Sequence, residues 1–257
     1  MKISILNNRN RLIGIVLILF FWQALYIIIN RDIYLPSPLN VIRSFVQIST
    51  DKDFFAVITN TTIRVLLSFF LSATTGILFG LTCGLNKTAY EIFEPVIVLI
   101  RSTPVISVII IALIWFKSDF APVFAGFLMC FPVIWSNVVQ GVKSTDPHLI
   151  EMSRIYKIKP TRIIMTVYLP SAKPFITAGL TTSLGLAWKV IAAAEVLSLP
   201  KYGIGSKLHD SKIYLESDKL LAWTLLIIMI SYVFELILKL FFQNQTESIP
   251  ATWRAYD

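Results

Sequence analysis

The sequence predicts an all-α membrane protein, six transmembrane helices with a cytoplasmic helix–break–helix loop, and three observations carry that prediction. Of the 257 residues, 56% are hydrophobic and only 15% charged, whereas a soluble globular chain has about 45–50% apolar and about 25% charged residues. Apolar stretches long enough to cross a hydrocarbon core of roughly 30 Å, about 20 helical residues, recur along nearly the whole chain. The basic residues form no dense run and fall mostly between those stretches, so the net charge of +8 reads as membrane topology and not as a nucleic-acid surface.

The predicted spans are 12–29, 61–85, 92–116, 120–142, 174–198 and 219–242, giving a transmembrane domain over 12–242 between an N-tail, 1–11, and a C-tail, 243–257. Lys2, Arg9 and Arg11 precede the first apolar run as in a secretory signal, but no small-x-small cleavage site follows it, so the run is expected to be retained. An even number of spans puts both termini on one side. The N-tail, the 86–91 link, the 143–173 loop and the C-terminal end from Lys239 onward together hold twelve Lys or Arg against eight in 30–60, 117–119 and 199–219. That asymmetry predicts cytoplasmic termini.

The second span carries Ser68, Ser72, Gly76, Gly80 and Gly84, a small residue at every fourth position, so another helix can approach closely, either in the same subunit or in a second copy. Prolines 95, 104, 122 and 132 are expected to bend the third and fourth spans. Cys83 and Cys130 lie in apolar segments and read as packing residues. His148 and His209 sit in separate loops without a Cys or carboxylate cluster, which argues against a metal site.

The 143–173 loop is too apolar for a solvated connector. Asp146 followed by Pro147 reads as a helix N-cap with proline in the first turn. Leu149, Met152, Ser153 and Tyr156 then share one face, and Glu151, Arg154 and Ile158 another. Pro160 ends this helix, and a second short helix is expected to run to Leu169-Pro170. Apolar and charged groups side by side on such a surface suit docking into a partner's groove.

Glu151-Met152-Ser153, Lys157 and Val167-Tyr168-Leu169-Pro170 have the spacing of the cytoplasmic loop motif of binding-protein-dependent ABC importer permeases, and here the sequence resembles that family. The family motif reads Glu-Ala-Ala, three residues, Gly, nine residues, Ile-x-Leu-Pro; Lys157 stands in the glycine slot, and Met152 and Ser153 in the alanine slots. The resemblance runs from about 35 to 240 and is closest to the nitrate/sulfonate/taurine branch. Leu35-Pro36-Ser37-Pro38, Arg64-Val65-Leu66, Gly76-Ile77-Leu78-Phe79-Gly80, Arg101-Ser102-Thr103-Pro104, Leu186-Ala187-Trp188, Ala194-Glu195 and Tyr202-Gly203-Ile204-Gly205 carry it. The resemblance implies a non-catalytic permease subunit that pairs with a second permease copy, two ABC ATPase subunits and an extracytoplasmic substrate-binding protein in a bacterial inner membrane. It implies a small solute, either an anion such as a sulfonate or nitrate or a vitamin precursor. The loop residues Glu151, Met152, Ser153, Arg154, Lys157, Leu169 and Pro170 would then be the ATPase-coupling set. The chain has no Gly-x-x-x-x-Gly-Lys-[Ser/Thr] phosphate loop, so no cofactor is expected in it and ATP would be bound by the partner subunit.

Arg101, Lys189 and Glu195 lie in or at the rim of spans, where a charge at a helix centre costs about 2.5–3.5 kcal/mol on insertion scales. They are the candidate translocation path, with Arg101 and Lys189 as a positive lining and Glu195 orienting one of them; snorkelling or a structural ion pair is the alternative. Glu235 and Lys239 read as an i,i+4 pair. A membrane-embedded enzyme would need His, Asp or Glu clustered at one membrane face, and a passive channel would not need the docking loop.

Overall fold

The computed structural model describes residues 5–246, with side chains from 13 to 242. The described chain is helical throughout: α1 (Ile5–Ile29), α2 (Pro38–Ser49), α3 (Phe54–Leu85), α4 (Lys87–Ser102), α5 (Val105–Trp115), α6 (Ala121–Lys143), α7 (Pro147–Ile155), α8 (Pro160–Ile163), a π-turn (Ile164–Tyr168), α9 (Leu169–Ser198), α10 (Ile204–Ile213) and α11 (Ser217–Thr246). Four helical stretches, Phe54–Leu85, Ala121–Lys143, Pro160–Ser198 and Ser217–Phe242, are long and apolar enough to cross a membrane, and the bent pair α4–α5 makes a fifth candidate. The first predicted span lies in α1, whose apolar part, Ile13–Ile29, is shorter. The described chain is already helical at Ile5, within the predicted N-tail; residues 1–4 and 247–257 of the two predicted tails lie outside the described residues.

The third predicted span, 92–116, is not one straight helix. α4 and α5 meet at 98°, and the cause is Pro104, which drives Thr103 into an extended conformation (φ −71°, ψ 128°) and ends α4. Two segments between predicted spans, 30–60 and 199–219, contain helices. α2 starts where Ser37 caps it, its hydroxyl accepting from the Asn40 N–H at 3.1 Å, with Pro38 in the first turn. The Trp22 indole donates to the Pro36 carbonyl at 3.0 Å, which fastens α1 to this start. α10 fills much of 199–219 and packs against α9 and α11.

α6 is the centre of the bundle, packed between α3 and α9. The small residues of α3 face α6 within the same chain: a Cβ added at Gly76, Gly80 or Gly84 would come within 2.9, 2.7 and 2.7 Å of the Cβ atoms of Ile134, Val138 and Val142. The fourfold spacing on both parallel helices keeps the rows in register, and Ser72 adds a hydroxyl bond to the Phe127 carbonyl at 3.1 Å. The core between α3, α6 and α9 is filled by Val65, Phe69, Ile134, Val138, Leu184, Trp188 and Ile191. Cys83 and Cys130 are buried, unbridged thiols.

Candidate functional site

Two regions at opposite ends of the bundle hold the residues of interest. The first is the α6–α9 connection. Asp146 caps α7 by accepting from the His148 N–H at 2.9 Å, and Pro147 occupies the first turn. α7 ends in a Schellman motif: the Lys157 N–H donates to the Arg154 carbonyl at 2.9 Å and the Ile158 N–H to the Ser153 carbonyl at 3.0 Å. That motif needs a left-handed residue, and Lys157 supplies it with φ 51°. The lysine therefore turns the chain where the family motif has glycine. Replacing Lys157 by Gly should raise stability by about 1 kcal/mol, the left-handed penalty of a residue with a Cβ; a lower unfolding midpoint for the variant would contradict this account.

Glu151, Met152, Arg154, Ile155 and Tyr156 are exposed, whereas Ser153 is buried and donates to the Leu149 carbonyl at 2.7 Å. The second half of the loop differs from expectation. No short helix closes at Leu169-Pro170; Pro160–Ser198 is one helical stretch of 39 residues. A π-turn accommodates Pro170: the Leu169 N–H reaches back five residues to the Ile164 carbonyl, and the proline falls in the first turn of α9. Leu169 is half-buried and Pro170 exposed.

The second region joins the start of α3, the 116–120 connector, the end of α9 and the start of α10. Glu195 is fully buried. Its carboxylate accepts from Arg64 Nη1 at 2.7 Å, the Thr61 hydroxyl at 3.0 Å and the Gly205 N–H at 2.9 Å. Thr61 also accepts from the Ile204 N–H at 2.9 Å, so the carboxylate rests on the N-terminus of α10, where backbone donors and the helix dipole favour a negative charge. Arg64 is 5% exposed and divides its remaining donors between the Tyr202 carbonyl at 2.8 Å and Asp119 at 2.6 Å. A Cβ at position 205 would overlap the Ala192 carbonyl and Glu195 Cβ, so only glycine lets α10 approach. The segments Arg64-Val65-Leu66, Ala194-Glu195 and Tyr202-Gly203-Ile204-Gly205 thus meet in one network.

This corrects the pairing expected for Glu195. Its partner is Arg64, not Lys189 or Arg101. Six residues turn an α-helix through about 600°, so Lys189 and Glu195 lie on faces about 120° apart. Lys189 is exposed on α9. Arg101, in the last turn of α4, reaches the Ser136 hydroxyl at 3.5 Å and lines a pocket of about 460 Å³ between α4 and α6. The three candidate path residues are not brought together. Glu235 and Lys239 do form the expected i,i+4 pair, at 3.7 Å.

The described chain is a polytopic helical bundle built on one central helix between two others, with a capped helix presenting exposed apolar side chains at one end. The chain belongs to the family of binding-protein-dependent transport system inner membrane components, which it matches over residues 76–246. It is an ABC importer permease, a non-catalytic subunit, of the sulfonate/taurine/nitrate branch. It is 26% identical over 227 residues to the taurine transport system permease protein TauC of Escherichia coli, covering 86% of this chain and 82% of that protein. It is 29% identical over 204 residues to the nitrate import permease protein NrtB of Synechococcus elongatus, covering 75% and 72%. Its fold is similar to that of a chain of the MetNI methionine ABC transporter in an inward-facing conformation, with TM-score 0.62, 17% identity and coverage of 76% and 99%.

Proposed function

We propose that this permease, as a pair of identical copies, forms the path by which a small oxyanion, a sulfonate or nitrate, enters the cell, and that α7 transmits ATP-driven motion from a partner ATPase. The solute would be delivered by an extracytoplasmic binding protein, and ATP would be held by the ATPase with no cofactor in this chain. Both termini and the 143–173 loop are assigned to the cytoplasm, on the basic-residue asymmetry. The observation that carries the coupling role is α7 itself. Met152, Ile155 and Tyr156 are 50%, 78% and 74% exposed on a helix outside the long apolar stretches, where large apolar side chains clustered with Glu151 and Arg154 mark a protein contact. Lys157 sets the turn after that helix, Ser153 is its buried residue, and Leu169 and Pro170 lie within the long helical stretch that would receive the motion.

The test is joint expression with candidate ABC ATPase and binding-protein subunits. The expected outcome is co-purification and ATP-dependent uptake of a sulfonate or nitrate, with a cysteine at position 155 labelled from the cytoplasmic side and one at 207 from the other. A chain that never recovers an ATPase, or labels at 155 from outside, is not the subunit described.

A further inference from the structure

A cationic pocket lies where two of the long apolar stretches end. Its volume is about 610 Å³, and its floor is apolar, formed by Leu85 at the end of α3, Ile150 of α7, Ile158 of the turn that follows, and Ile163 and Ile164. Its rim carries Arg154, Lys157 and Lys159. All three cations are exposed, and none makes an ion pair or a side-chain hydrogen bond among the described residues. No Asp or Glu lines the pocket. Pairing within the bundle therefore does not account for three positive charges gathered round an apolar hollow.

Lys157 supplies an observation independent of the charge count. Its backbone is left-handed, with φ 51°, a conformation that glycine adopts without the clash of a Cβ. The Schellman turn uses only the backbone of this residue and leaves its ammonium unemployed. A side chain held at a strained position marks a function for that side chain, and this one lines the pocket.

The place of the pocket selects the ligand. α3 has 32 residues and the stretch Pro160–Ser198 has 39, whereas about 20 cross the hydrocarbon core. The ends of both thus run past the core into the headgroup layer. Leu85 and Leu78, two turns apart on α3, are 39% and 59% exposed, so the apolar floor continues onto the exposed face of that span. The side of α7 offered to an ATPase is a different one. Ile150 and Arg154, four apart, line the pocket, and Met152 and Ile155 are turned from Ile150 by about 200° and about 140°. A ligand in the pocket leaves those two side chains free.

We infer that this pocket seats one anionic phospholipid of the cytoplasmic leaflet, its phosphate held by Arg154, Lys157 and Lys159 and an acyl chain laid over Leu85 along α3. A basic pocket at the cytoplasmic ends of membrane helices is the arrangement that recognises such headgroups. The inference takes from the importer reading only that the 143–173 loop is cytoplasmic, and it needs no ATPase.

The experiment uses the full chain in a neutral maltoside detergent, with native mass spectrometry counting the molecules retained from dioctanoyl phosphatidylglycerol and dioctanoyl phosphatidylcholine. One phosphatidylglycerol per chain should be retained at concentrations where phosphatidylcholine is not. Lys159→Gln should weaken retention about 5-fold, and Lys157→Gly combined with Lys159→Gln about 25-fold, at one such factor per cation. The glycine relieves a strained backbone, so the double variant should unfold no lower than the natural chain, which separates lost binding from lost folding. Lys212→Gln, at an exposed cation of α10 away from the pocket, should change nothing. Equal retention of the two lipids, unchanged retention by the double variant, or an equal loss in Lys212→Gln overturns the seat. So does displacement of the lipid by equimolar glycerol phosphate, which would make the pocket a site for a soluble phosphate. Recovery of an ATPase is scored separately: its failure counts against the importer reading and leaves the lipid result standing.

Discussion

Arg64→Ala is expected to prevent the permease from accumulating as a folded membrane protein. The substitution removes the guanidinium that donates to Glu195 at 2.7 Å, to the Tyr202 carbonyl at 2.8 Å and to Asp119 at 2.6 Å. Glu195 is fully buried, so its carboxylate keeps only Thr61 and the Gly205 N–H, and leaving one partner of a buried pair unpaired costs about 3–5 kcal/mol. Against a total stability of about 5–15 kcal/mol, that is a large fraction. The Asp119 arm contributes much less, because Asp119 is 67% exposed and surface pairs are worth about 0–1 kcal/mol; Asp119→Asn should behave nearly as the natural protein. Replacing both partners with apolar residues, Arg64→Leu with Glu195→Leu, should recover part of the loss, since a buried pair and a well-packed apolar pair are often close in stability. Size-exclusion profiles and thermal unfolding in detergent measure all three. An Arg64→Ala protein with an unchanged unfolding midpoint would show that the network carries little of the fold's stability.

The network also marks where sequence reasoning stopped. Arg64 and Glu195 were both visible as charges in apolar spans, but they are 131 positions apart, and no local rule joins them. Glu195 was instead expected to orient Arg101 or Lys189; helix geometry places Lys189 on another face, and Arg101 sits in the last turn of α4. Features set by nearest neighbours were legible: the Asp146-Pro147 cap, the break at Pro104, the small-residue row of α3 and the Glu235–Lys239 pair. The continuation through Leu169-Pro170 was not. Proline ordinarily stops a helix, and only the π-turn before it, with the Leu169 N–H bonded to Ile164, removes the conflict. α2 was passed over because its capped start, Leu35-Pro36-Ser37-Pro38, was read as a family tetrapeptide and not as an N-cap with proline behind it.

Glu151→Arg is expected to leave the permease inserted and folded while it loses its ATPase. Glu151 is exposed on α7 and makes no ion pair among the described residues, so its replacement removes nothing from the bundle, and an exposed helix position tolerates Arg as well as Glu. It is also the only acidic residue between Pro147 and Lys173, a stretch that holds Arg154, Lys157, Lys159, Arg162 and Lys173. A partner groove that accepts this basic loop must present one cation, or a cluster of donors, where Glu151 arrives. Reversing the charge sets like against like at a close-packed interface, which costs several kcal/mol, and even about 2 kcal/mol would lower affinity roughly 30-fold. Glu151→Gln, which removes the attraction without adding repulsion, should fall between the two. The readouts are ATPase recovery in pull-downs and the ratio of solute taken up to ATP hydrolysed, with size-exclusion behaviour as the control for folding. If the variant recovers the ATPase and supports uptake as the natural chain does, Glu151 is a solvated helix residue. The contact would then rest on Met152, Ile155 and Tyr156, whose exposed apolar surface would still need a partner to cover it.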